Sequence, residues 1–255
     1  MPLPMTPLLA DFAVRLACGL ALLLLITPWR IVPPPFFRTH AQIILGLLVL
    51  AALDISRAGL TPPALAIIGA AGLSYVATIT WGLGLPRVAL PVTVAIALVL
   101  VGVLVAASFA HGIEVWALNA ARRLASAFLM GSTFTAMLLG HHYLIAPAMS
   151  ITPLRRFVKC MAWGLGIRTV VAALSLWEWV QYSYAPSSTP GLAALSPLLL
   201  TIRWGMGFGG LALAIVMTWK TVEIRSTQSA TGILYIAVIF VLLGELTALY
   251  APVMG

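Results

Sequence analysis

The chain has 255 residues, 62% of them hydrophobic and 8% charged, and its mean hydropathy of +1.09 excludes a soluble domain, which could not hide that much apolar surface. Runs such as VTVAIALVLVGVLVAASFA (92–110) lack the polar/apolar alternation of a β-barrel. The net charge of +8 reads as loop lysines and arginines that set membrane orientation, with no nucleic-acid partner.

Taken from the N-terminus, MPLPMTPLLADF has neither a basic leader nor a small-residue cleavage site, so it is expected to be retained. Apolar runs long enough to cross about 30 Å of hydrocarbon then lie near 8–29, 38–57, 62–84, 88–110, 116–145, 154–181, 192–219 and 229–250. Proline-rich turns separate them: TPWRIVPPPFF, GLTPPAL, APAMSITPL and APSSTPGL. The expected fold is all-α, a polytopic transmembrane bundle of about eight spans in which residues 1–255 form a single integral membrane domain.

Orientation follows from the basic residues. Connections after the odd-numbered spans carry Arg30, Arg38, Arg87, Arg155, Arg156, Lys159, Lys220 and Arg225, whereas the other side has little beyond Arg57. The odd connections are therefore expected in the cytoplasm, with both termini on the outer (periplasmic) side of a bacterial inner membrane. Trp29, Trp81 and Trp219 fall at inner ends, and Trp116, Trp177, Trp179, Tyr182, Tyr184 and Tyr250 at outer ends, as an aromatic belt would. WGLG (81–84 and 163–166) and WGMG (204–207) do not map equivalent helices onto each other. They read as sites of close helix approach, not as an inverted repeat.

Ionisable groups inside a span are costly and so mark candidate sites. Asp11 and Arg15, four apart, share a face of the first span and can pair. Asp54 closes the second span, and Arg122 and Arg123 sit about two turns into the fifth. They can snorkel or clamp an anion such as a haem propionate or a lipid phosphate. Ser126, Thr133, Ala136 and Gly140 continue that face as a small, faintly polar seam. Arg168 and Arg203 sit near mid-span in the sixth and seventh runs, about 16 Å deep at ~1.5 Å per residue. Their available anions are Glu178 and Glu245. Either arginine can serve a structural pair or a ligand site, and the glycine-rich RWGMGFGG (203–210) around Arg203 is where a span could unwind.

Three histidines share the inner membrane level: His40 opening the second span, and His141 and His142 closing the fifth. Adjacent helical residues point about 100° apart, so the doublet cannot easily chelate one ion, but either member can face His40. The readings are headgroup contacts at a boundary bordering water, haem ligation by one histidine from each helix, or a quinone site; no zinc spacing is present and the metal stays unassigned. Cys18 and Cys160 lie in separate spans and read as small apolar residues. In WKTVEIRSTQSATGILY (219–235), Ser226, Thr227 and Ser229 can each cap the last span, near Lys220 and Arg225.

No Walker loop, nucleophile elbow, H-E-x-x-H or Rossmann glycine pattern occurs. The leading expectation is an integral subunit of a bacterial respiratory or photosynthetic electron-transfer assembly. It would contact lipids and other membrane subunits, and bind haem b or quinone at His40, His141, His142, Arg168 or Arg203. The alternative is a small-molecule or lipid transporter with an anion site at Arg168 and Arg203. A third is a membrane enzyme of lipid or haem metabolism using His141 or His142 as base.

Overall fold

The structure is a computed structural model that describes residues 8–57, 59–109, 115–146, 149–183 and 197–250. The first seven residues, Pro147, Tyr184, the 185–192 turn and the side chains of Trp179, Tyr182 and Tyr250 lie outside the described residues. Every regular element among the described residues is helical: α1 (Leu8–Ile26), α2 (Pro34–Ser56), α3 (Pro62–Gly82), α4 (Pro86–Phe109), α5 (Trp116–Ile145), α6 (Thr152–Ser183), α7 (Pro197–Leu200), a π-helix (Thr201–Gly210), α8 (Leu211–Glu223) and α9 (Thr227–Tyr250). Elements α7, π and α8 run on as one span, so among the described residues eight helices are long and apolar enough to cross a membrane.

Local chemistry explains the boundaries. Elements α2, α3, α4 and α7 each start on a proline, whose missing N–H is unneeded in a first helical turn. Pro34 and Pro35 of the PPP cluster therefore belong to α2, which starts four residues before the expected 38, with Pro33 extended ahead of it. The seventh span runs on to Glu223, where the Trp219 indole donates to the Glu223 carboxylate at 2.7 Å. RWGMGFGG does not unwind: it is π-helical with Leu200 and Leu211 in ordinary helical geometry on either side. Its glycines instead allow close contact, since a Cβ on Gly207 would stand 2.7 Å from Gly244 Cα in α9.

The spans form two rings of four. In the first, α1 packs on α2, α2 on α3, α3 on α4, and α4 returns to α1. In the second, α5 packs on α6, α6 on α8, α8 on α9, and α9 returns to α5. The rings meet mainly where α1 crosses α5 at Gly19 and Gly131. A Cβ on Gly19 would overlap the Ala127 carbonyl, and one on Gly131 the backbone of Gly19. Only small residues permit such an approach. The expected seam on α5 is real, with Ser126, Thr133 and Ala136 fully buried and Gly140 against Thr231 of α9.

Candidate functional site

The interior of the second ring is polar, and each of its spans contributes one side chain. Arg168 of α6 donates to Glu245 of α9 through both Nε (to Oε1, 2.8 Å) and Nη2 (to Oε2, 3.0 Å). Ser126 of α5 donates to the same Oε2 at 2.6 Å. Arg203 comes from the π-helix; like Arg168 and Glu245 it is buried. This two-pronged arginine–carboxylate geometry is the strongest kind of ion pair a protein builds.

Arg203 is arranged differently. Its guanidinium carbon lies 5.4 Å from the centre of the Phe208 ring, five residues on. In a π-helix, with its i→i+5 hydrogen bonds, those two positions stack one above the other. The ring face attracts the cation, yet among the described residues Nε and Nη2 of Arg203 are buried without a hydrogen-bond partner. Nη1 of Arg168 is likewise unpartnered. Arg203 and Glu245 both line a cavity of about 10 Å³, closed by Leu129, Gly207, Phe208, Val241 and Gly244. That volume is close to the space one water needs.

A second charged cluster ties the rings together. Asp11 accepts from Arg15 on its own helix at 2.5 Å and also from Arg123 of α5. Asp54 accepts from the Ala10 amide at 3.2 Å, satisfying one of the amides that a helix start leaves open. Arg122 donates to Ser175 at 2.5 Å and to Asn119 at 2.9 Å, with Glu178 3.6 Å away. Two expectations are corrected here. Glu178 serves Arg122 rather than Arg168 or Arg203, because α6 sets it close to the start of α5. Arg123 does not snorkel, since Asp11, which pairs with Arg15 as expected, holds it inside at 8% exposure.

The histidines divide. His40 lies inside α2, because that helix starts at Pro34; it is fully buried rather than bordering water. Its Nδ1 is 2.9 Å from the Phe36 carbonyl, and its Nε2 has no partner. The Phe36 ring packs on His40 (centroids 4.2 Å apart) and on His142 (6.0 Å). His142 is thus the doublet member on the His40 side, whereas His141 Nδ1 lies 3.3 Å from the Tyr235 hydroxyl of α9. Among the described residues no three His, Cys, Asp or Glu side chains converge as a metal site would need. Cys18 and Cys160 are free.

The depth of Arg168 and Arg203 pointed to the centre of the site, but Ser126 read only as part of a seam. A usable signal existed for Arg123. AVRLACG (13–19) and ARRLASA (121–127) align with Arg15 on Arg123 and Cys18 on Ser126, and these two helices meet. Comparison of the chain with protein-family models, with curated proteins and with solved structures finds no match.

Proposed function

We propose that the chain is a multi-pass protein of the bacterial inner membrane that binds and passes a small anion through the second ring of spans. The observation that carries this reading is Arg203, a buried cation with two unpartnered N–H groups beside a cavity it shares with Glu245. Two buried arginines face one glutamate there, leaving an excess of positive charge that a small anion would balance. A charge unmatched in a span is costly and is retained where it meets a ligand. The π-helix supports the same reading, because such segments occur disproportionately at functional sites.

The test is flux in proteoliposomes against a panel of chloride, nitrate, bicarbonate, formate and phosphate. Transport of at least one of these, lost in Arg203→Gln and kept in the peripheral Arg57→Gln, is the expected result. If no anion moves, or if Arg203→Gln carries it at the parent rate, the proposal fails.

A second reading, the electron-transfer subunit with haem b or quinone and partner subunits, is favoured by one observation. His40 is a fully buried imidazole with an unpartnered Nε2, and it shares the Phe36 ring with His142. An absorption spectrum of the purified protein, oxidised and then dithionite-reduced, tests the haem form. A Soret band lost in His40→Ala supports it, and its absence in the parent removes it.

A further inference from the structure

At the basic end of the bundle, a cleft of about 350 Å³ opens between the α1–α2 and α3–α4 connections. That volume is within the range of small-ligand sites, which combine apolar walls with a few polar groups. Its floor is the stacked pair Phe37 and Trp81, with centroids 4.3 Å apart and ring planes within 19°. Both are buried, and the Trp81 indole is fixed by Thr93 at 3.4 Å. Its rim is Trp29, exposed, with the Arg30 guanidinium 5.1 Å from the centre of the indole ring. Pro34 and Pro86, the first residues of α2 and α4, complete the lining with Gly84.

The electrostatics have one sign. Two long helices direct their positive N-terminal ends at the cleft, and the α2 start has no side-chain cap. Arg38 lies across Gly82 at the end of α3, and Arg87 adjoins Pro86. Among the described residues none of Arg30, Arg38 and Arg87 has an ion pair and no carboxylate lines the cleft. An aromatic floor with Arg30 in its lining, Arg38 against the neighbouring Gly82 and Arg87 next in sequence to Pro86 complements an amphiphile with a phosphate head.

We propose that this cleft binds one anionic phospholipid, its phosphate held by Arg30, Arg38 and Arg87 and its glycerol region resting on Trp29, Phe37 and Trp81. The site is separate from the arginine–glutamate centre and does not depend on it.

Native mass spectrometry of the full chain in mild detergent, offered phosphatidylglycerol or phosphatidylcholine, tests this. Each arginine near an anionic lipid contributes about a fivefold factor, so the parent is expected to retain one phosphatidylglycerol about a hundredfold more than phosphatidylcholine; exposed single R30Q should cut that preference about fivefold and R30Q/R38Q about 25-fold. K220Q/R225Q, which removes two charges from the same end outside the cleft, should keep it. Equal retention of both lipids by the parent overturns the proposal. So does an unchanged preference in R30Q and R30Q/R38Q, or an equal loss in K220Q/R225Q. Displacement of the bound lipid by millimolar inorganic phosphate, with no preference among lipids, would assign the cleft to free phosphate and also overturn it.

Discussion

Glu245 is the residue on which the second ring turns, because among the described residues it is the only carboxylate paired with Arg168 and the only one lining the Arg203 cavity. Removing one partner of a buried ion pair strands the other without solvent, at a cost of about 3–5 kcal/mol, whereas neutralising both together is far milder. Glu245→Gln should therefore lower stability in detergent by roughly that amount, and Arg168→Gln/Glu245→Gln by clearly less than the two single changes summed. Denaturant titration through the four-member mutant cycle measures the coupling; a Glu245→Gln protein as stable as the parent contradicts it. The Arg168 pairing was legible from depth, since an arginine about 16 Å inside a span needs an anion and Glu245 was one of two to hand. The burial of His40 was not legible, because it depends on α2 starting inside the proline cluster, four residues earlier than hydropathy alone suggests.

At the scale of helices, the two tightest crossings are glycine on glycine: Gly19 on Gly131 between α1 and α5, and Gly207 on Gly244 between the π-helix and α9. Other glycines meet nothing; a Cβ on Gly102 of α4 finds no heavy atom within 4 Å. Composition cannot separate these two kinds, since both lie within apolar runs, and the difference depends on which helix lies opposite. Gly131→Ala should force α1 and α5 apart and lower the melting temperature markedly, by an overpacking cost of about 1–3 kcal/mol or more. Gly102→Ala should be neutral or stabilising by up to about 1 kcal/mol through helix propensity. Melting curves of the two variants side by side decide this; equal effects would contradict a close α1–α5 crossing. The extent of α5 was read correctly to the residue. The π-helix was not, because glycine-rich RWGMGFGG is equally compatible with a break, and only its neighbours keep it helical.

Across the whole molecule, the order of neighbours in the first four spans recurs in the last four, and AVRLACG in α1 is echoed by ARRLASA in the helix it crosses. Four reversals separate α1 from α5, so the two rings lie in the same sense rather than inverted, the arrangement of repeats related by an axis along the membrane normal. The rings differ in content: at the position of Ser126, which binds Glu245, the first ring has buried Cys18. The Arg168–Glu245 centre thus belongs to one ring alone, whereas the Asp11–Arg15–Arg123 cluster is shared by both, and the basic loops gather at one end of both. That end carries Arg30, Arg38, Arg87, Arg155, Arg156, Lys159, Lys220 and Arg225, a bias that membrane insertion reads as cytoplasmic. With Cys18 and Cys160 replaced by alanine, single cysteines at Leu60 and Ile224, 70% and 76% exposed at opposite ends, report the orientation. A membrane-impermeant maleimide added to intact cells stripped of their outer membrane should label Leu60→Cys directly and Ile224→Cys only after permeabilisation. The reverse pattern would put the basic end outside, and with it the α1–α2 and α3–α4 connections that carry Arg30 and Arg87, against the charge bias that directs insertion.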